Sequence, residues 1–278
     1  MTRRISNLVV ATTLAALGCD RPASPTPAST TSPPASAAPP ASAVAAASAA
    51  PPADASAPPS SDASASSATA ISFDAEKPGE ASPDFEGVVG DWYVAEENGA
   101  RGLKVDGSKW RSGEPSVSLA DQAKHLYGDR YAEFLDGVKA FAFFPFAVWK
   151  GEPPKGDLRI SVRFYPEAGK VDQAAGIIFA IGQDGTYWGV RANALEDNIL
   201  FFKVVKGKRT VLDNVRNVPT PSKTWHTLAV ELRGKQLSAT LDGQKRFEKT
   251  LDFVPAGRIG LWSKADSQVL FDDFTVTR

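Results

Sequence analysis

Two segments of this chain alternate so strictly that each must lie as a strand with one face against a core. LRISVRFY (158–165) sets Leu158, Ile160, Val162 and Phe164 against Arg159, Ser161, Arg163 and Tyr165. HTLAVEL (226–232) sets His226, Leu228, Val230 and Leu232 against Thr227, Ala229 and Glu231. Side chains leave a strand on alternate faces, so period two predicts a half-buried strand, not a helix. Asp184-Gly185, Lys206-Gly207 and Asp242-Gly243 punctuate similar runs as turns. Ten or more short strands at this spacing predict an all-β sandwich or jelly roll of antiparallel sheets.

The alternation is confined to the later part of the chain. All 26 aromatic residues lie after position 70. Residues 71–278 are therefore expected to form one domain, large enough to close a core without disulfides or metal. Their charges nearly cancel and no basic stripe is interleaved with aromatics, so nucleic acid is not an expected partner. One stretch departs from strand periodicity: SLADQAKHLYGDRYAEFLDGV (118–138) spaces its apolar residues helically and predicts a short helical insertion. The segment VKAFAFFPFAVWK after it is apolar on both faces and predicts a buried strand, with Pro145 restricting it to an edge or a bulge.

The first seventy residues follow different rules. Arg3 and Arg4 precede an apolar run too short to span a bilayer, which needs about 20 residues, and residues 1–18 read as a secretory signal. Ala16-Leu17-Gly18-Cys19 resembles the lipobox of bacterial lipoproteins, with Ala16 where Leu is usual. Cys19 is the sole cysteine, so no disulfide can form within the chain, and lipidation of Cys19 is the expected use. Residues 19–70 are rich in Ala, Pro, Ser and Thr, lack aromatics, and predict a disordered linker. The implied location is the bacterial cell envelope, membrane-anchored, on the periplasmic or the cell-surface side. Oligomeric state is not legible.

TWHTLAVELRGKQLSATLDGQ, with VLFDDFTV near the end, resembles the paired-strand signature of concanavalin-like and laminin-G-like jelly rolls. More narrowly, VDQAAGIIF, YWGVRANALEDNILFFKVVKGKRT and GLWSKADSQVLFDDF resemble bacterial 3-keto-disaccharide hydrolase domains. That resemblance implies carbohydrate as partner and hydrolysis of 3-keto-glycosides as activity. A 3-keto group acidifies the C2 proton, so the glycosidic bond can leave by elimination. The chemistry needs a general base and donors for an enolate oxygen. A non-catalytic glycan-binding, adhesion or scaffolding module, and a structural lipoprotein without a ligand, are the alternatives, because this architecture hosts many functions.

The candidate residues gather around RANALEDNI (191–199). On the strand before it, Tyr187, Gly189, Arg191 and Asn193 share one face, with Gly189 leaving room. Arg191, Asn193 and Tyr187 could bind sugar hydroxyls; equally, Arg191 could pair with Glu196 or Asp197 while Asn193 caps the turn. Glu196 is the one carboxylate there suited to act as catalytic base, or else it is a solvated hairpin tip. Asp172 and Gln173 open the preceding strand as sugar contacts or turn-closing residues. His226 is expected in the interior. Trp149, Trp188 and Trp262 are stacking candidates whose usual place is the core. No cofactor is expected; calcium stays open through Glu196, Asp197, Asp272 or Asp273, the last two pointing to opposite strand faces.

Overall fold

The structure, a computed structural model, describes residues 68–110 and 144–278, together with Leu126 and Gly128. The expected signal, Cys19 and most of the linker lie outside these residues, as does nearly all of the expected helical insertion. Fifteen strands are present among the described residues. The first five are β1 (Ala68–Ile71), β2 (Phe85–Val89), β3 (Asp91–Glu97), β4 (Ala100–Asp106) and β5 (Phe146–Trp149). Next come β6 (Leu158–Ala168), β7 (Ala174–Ile181), β8 (Tyr187–Asn193), β9 (Asn198–Val205) and β10 (Lys208–Arg216). The last are β11 (His226–Arg233), β12 (Gln236–Leu241), β13 (Gln244–Thr250), β14 (Arg258–Trp262) and β15 (Gln268–Thr277).

They form two antiparallel sheets, as expected of a jelly-roll sandwich. The first runs β13-β12-β11-β6-β15-β4-β3, with β1 on β15 beyond the end of β4. The second runs β10-β9-β8-β7-β14-β5-β2. β1 takes in Ala68, Thr69 and Ala70, residues whose composition groups them with the linker; pairing to Thr275, Val276 and Thr277 orders them. Both segments read as strands from their alternation keep it. Leu158, Ile160, Val162 and Phe164 of β6 meet Leu228, Val230 and Leu232 of β11 in the core between the sheets. The β9–β10 and β12–β13 hairpins turn through Lys206-Gly207 and Asp242-Gly243, each pair with both φ values positive. Two positive φ values match the twist of the flanking strands, and only glycine adopts them without strain.

The second sheet is apolar on both faces. Ala175, Ile177 and Phe179 of β7 enter the main core, whereas Ala174, Ile178 and Ile181 join a second cluster on the outer face. Tyr187, Phe202, Phe146, Val148 and Trp262 belong to that cluster, with Phe144 and Leu126 packed on it. A sheet covered on both faces reads as an unbroken apolar run, as AAGIIFAI does. Pro145 stands beside a bulge, one of the two settings expected for it: the register of β2 against β5 shifts between Gly87 and Val89, opposite Ala147 and Phe146. β5 pairs with both β14 and β2, so it is not an edge strand. It begins immediately after Pro145, whose carbonyl accepts from Ser263 N at 2.8 Å. Proline supplies no N–H, and at the entry to the strand none is required of it.

Candidate functional site

The outer face of the second sheet carries a buried polar network at the β8–β9 hairpin. Arg191 is only 1% exposed. It donates from Nη2 to Glu196 Oε2 at 2.6 Å and from Nη1 to Asn198 Oδ1. Asn198 Nδ2 also donates to Glu196 Oε2, at 3.0 Å. Glu196 is thus clasped from two sides while its own side chain stays 40% exposed. Asn193 donates to Asp172 Oδ1 at 2.6 Å and accepts from Leu195 N at 2.9 Å, which closes the turn. Lys264 pairs with Asp172 and stands 3.7 Å from Glu196 Oε1, linking the two halves.

Local features place each group. Gly176 lies beside Arg191 and Trp262 in the sheet, and a Cβ there would stand 3.0 Å from Arg191 Cβ and 3.3 Å from Trp262 Cε3. The missing side chain is what admits both large residues to one row. Asp266, in the β14–β15 loop, accepts from the backbone N–H groups of Lys170, Val171 and Asp172 at 2.7–3.1 Å. That clamp fixes Asp172, and the same loop delivers Lys264. Ser263 and Ser267 hold the two backbone groups of Ala174 at 2.8 and 3.1 Å.

The electrostatics follow burial and pairing. Burial pushes Asp172 above the usual aspartate value, although Lys264 and Arg191 pull it down. Burial also acts to raise Glu196, but Arg191, Asn198 and Lys264 outweigh it and hold the carboxyl below its ordinary value. The Arg191 guanidinium is lowered by its burial against the opposing pull of Glu196 and Asp172. Arg209, on the neighbouring β10, is half-buried with its Cζ 5.2, 5.8 and 6.0 Å from the ring centroids of Phe144, Phe202 and Trp262. Its pKa is lowered by burial and then by the charge of Arg191.

The structure therefore brings together Arg191, Asn193, Glu196 and Asp172 and adds Asn198, Lys264 and Arg209. Asn198 belongs to β9, directly across from Asn193, and not to the turn, which is residues 194–197. Arg191 does pair with Glu196, and Asn193 does cap the turn, so the same contacts that shape the hairpin shape the site. Tyr187 lies apart: its hydroxyl accepts from Trp262 Nε1 at 3.3 Å inside the apolar cluster, and burial raises its pKa. Gln173 also turns elsewhere, donating to Gly169 O at 3.1 Å and accepting from Ser222. The room expected at Gly189 is taken by the Phe202 ring, whose Cζ would stand 2.6 Å from an added Cβ. Lys264 is far from the hairpin in sequence, hinted at only by the polarity of SKADS after an apolar strand, whereas Arg209 follows β9 by four residues.

The remaining candidates have other occupations. His226 is buried, with Nδ1 2.8 Å from Asp242 Oδ2 and Nε2 3.0 Å from Pro221 O. Trp149 and Trp262 are buried, and Trp188 packs on Phe253 with ring centroids 4.3 Å apart. Asp272 and Asp273 do not diverge as plain alternation predicts. Asp273 has φ +48° within a register shift, and Arg163 Nη1 stands 3.8 Å from Asp272 Oδ2 and 2.8 Å from Asp273 Oδ2. A bulge repeats one face, so neighbours can point the same way. Asp197 accepts from Thr220 N at 3.2 Å. Among the described residues no group of three or more His, Cys, Asp or Glu is placed to hold a metal ion.

No protein-family model matches the chain, and no curated protein matches it. Solved structures do. A carbohydrate-binding module, CBM66 from Bacillus subtilis, is similar over 70% of this chain and 96% of its own, at 17% identity and TM-score 0.50. A Bacillus subtilis protein of unknown function with a galectin-like fold covers 72% and 96%, at 11% identity and TM-score 0.45. Domain 4 of AbnA, a GH43 extracellular arabinanase from Geobacillus stearothermophilus in complex with arabinotriose, covers 77% and 93%, at 12% identity and TM-score 0.46. At such identities the likeness is one of fold.

Proposed function

We propose that the jelly-roll domain binds carbohydrate on the outer face of its second sheet, at the β8–β9 hairpin, without turning it over. One observation carries this reading: Glu196 presents an exposed carboxylate whose orientation is fixed from below by buried Arg191 and Asn198. Burying an arginine costs several kcal/mol of desolvation that a pair repays only in part. A fold does not need that expense to close a four-residue turn. It suits a site where polar groups must stand in fixed positions for a ligand. An oriented carboxylate accepts hydrogen bonds from sugar hydroxyls, and the Lys264 ammonium stands 3.7 Å from its Oε1. The similarity in fold to a carbohydrate-binding module supports the reading.

Hydrolysis of 3-keto-glycosides, which the sequence resemblance implies, would require Glu196 to take a carbon-bound proton. Arg191, Asn198 and Lys264 stabilise its anion and so weaken it as a base. Binding is therefore the function proposed. The N-terminal sequence supports display of the domain from the bacterial envelope, lipidated at Cys19, with the linker giving a coil reach of about 40 Å.

The test uses the full chain in a detergent without a sugar head group, titrated against a panel of plant and bacterial oligosaccharides. Saturable binding that weakens at least tenfold in Glu196→Gln, with folding unchanged, is expected. Binding untouched by that substitution would remove the site from this face. Turnover of a 3-keto-glycoside that Glu196→Gln abolishes would replace binding with hydrolysis.

A further inference from the structure

We propose that the glycan taken at this site carries an oxyanion, a uronate carboxylate or a sulfate ester, seated against Arg209. The inference rests on the carbohydrate reading above and names the class of sugar that reading leaves open.

Charge is the first argument. Arg191, Arg209 and Lys264 bring three cations to the network; Asp266 is spent on the backbone N–H groups of Lys170, Val171 and Asp172, which leaves the carboxylates of Asp172 and Glu196. Both carboxylates are already engaged by Arg191, Asn193, Asn198 and Lys264. No hydrogen bond to Arg209 accompanies them. Its Nη1 is buried and has no hydrogen-bond partner, and Arg191 Nε is in the same condition. Among the described residues Arg209 has no carboxylate against it, only the rings of Phe144, Phe202 and Trp262.

Aromatic faces hold a guanidinium in place but take none of its hydrogen bonds. A half-buried guanidinium left in that state is destabilised twice, by desolvation and by Arg191 nearby. A neutral sugar relieves little of this, since a hydroxyl offers one weak acceptor and no charge. An oxyanion offers two or three acceptor atoms with the opposite charge, and its bonds to guanidinium are about twice as strong as neutral ones. The rings beside Arg209 exclude water, which strengthens that pairing further. Exposed lysines such as Lys208 on the same strand have no such setting.

The experiment compares matched pairs that differ only in the anion. Tri-galacturonate and its methyl ester form one pair; a galactose-4-sulfate trisaccharide and its unsulfated form make the other. Affinities are measured for the full chain at low and at physiological salt, with Arg209→Gln and, as a charge-matched control, Lys208→Gln. The expected result is at least tenfold tighter binding of one acidic member, lost in Arg209→Gln and kept in Lys208→Gln. The pair that shows it identifies the oxyanion. Equal binding of acidic and neutral members would overturn the proposal and leave the carbohydrate reading standing. So would an acid preference that survives Arg209→Gln or disappears equally in Lys208→Gln. Binding of no member, with the fold intact, would overturn both together.

Discussion

Asn193, the last residue of β8, donates from Nδ2 to Asp172 Oδ1 at 2.6 Å, and neither side chain has any exposed surface. The bond ties the start of β7 to the end of β8 on the outer face of the sheet, beneath the exposed Glu196. It also fixes the charge state there, because an amide can donate where a second carboxylate could not. Asn193→Asp should therefore cost about 3 kcal/mol at pH 7, since two buried carboxyls in contact cannot both ionise. Urea titration at pH 7 and pH 5 checks this: the deficit should shrink at the lower pH, where one carboxyl takes a proton.

Arg191 and Glu196 pair at 2.6 Å but differ in exposure, 1% against 40%. Substitution should separate them. Glu196→Gln keeps an acceptor for Arg191 but removes the charge that pairs with it, and should lower stability by about 1–2 kcal/mol. Arg191→Ala leaves Asp172 and Glu196 short of a cation and opens a hole beside Trp262, at a cost of about 3 kcal/mol. Thermal melts of the two variants should fall in that order, while both lose glycan binding.

Gly176 holds the row that Arg191 and Trp262 share. An added Cβ would stand 3.0 Å from both Arg191 Cβ and Val190 O. The backbone oxygen cannot swing aside, so Gly176→Ala should cost about 1–3 kcal/mol through overpacking. Trp262 fluorescence should shift with it, and glycan affinity should fall although no polar group has been removed. Unchanged melting with full binding would show that the row is looser than its geometry.

Asp272 supplies the pH dependence that can be read from one residue. Burial raises its pKa to about 6 in spite of the Asp273 N–H donated to it. A carboxyl whose folded pKa exceeds its unfolded value binds its proton more tightly when folded. Its contribution to stability is therefore greatest below the unfolded value and declines as pH rises through about 4 to 6. Asp272→Asn should remove that decline and raise stability at pH 7 by about 1 kcal/mol after solvent screening. Denaturation midpoints of the two proteins should converge near pH 4.

The sheets could be read in the sequence because alternation in β6 and β11 records which face meets the core, and because Lys206-Gly207 and Asp242-Gly243 need positive φ. Local rules of that kind act over two to four residues. The same rules misplaced Asp272 and Asp273, because a bulge depends on the register of β6 against β15. Pro145 left an edge and a bulge both open for a similar cause: whether a strand lies at an edge depends on which strands arrive on either side. The site was legible where it is local. The alternation put Arg191 and Asn193 on one face, and the turn brought Glu196 back over it.

What the sequence determined alone is therefore the class of fold, the hairpin, and the face on which Arg191 and Asn193 stand, since each follows from the covalent period of a strand and the stereochemistry of a turn. Tertiary structure decided that Lys264 and Arg209 join them, that Gln173 and Tyr187 do not, and that Asp172 is buried beside Asn193. Those outcomes depend on the pairing of β7 with β14, which sets Trp262 in the row of Arg191 shortly before Lys264, and of β9 with β10, which sets Arg209 opposite Val204. Burial then sets their electrostatics. A charge has no fixed pKa or partner until the fold decides how much water and which neighbours remain to it.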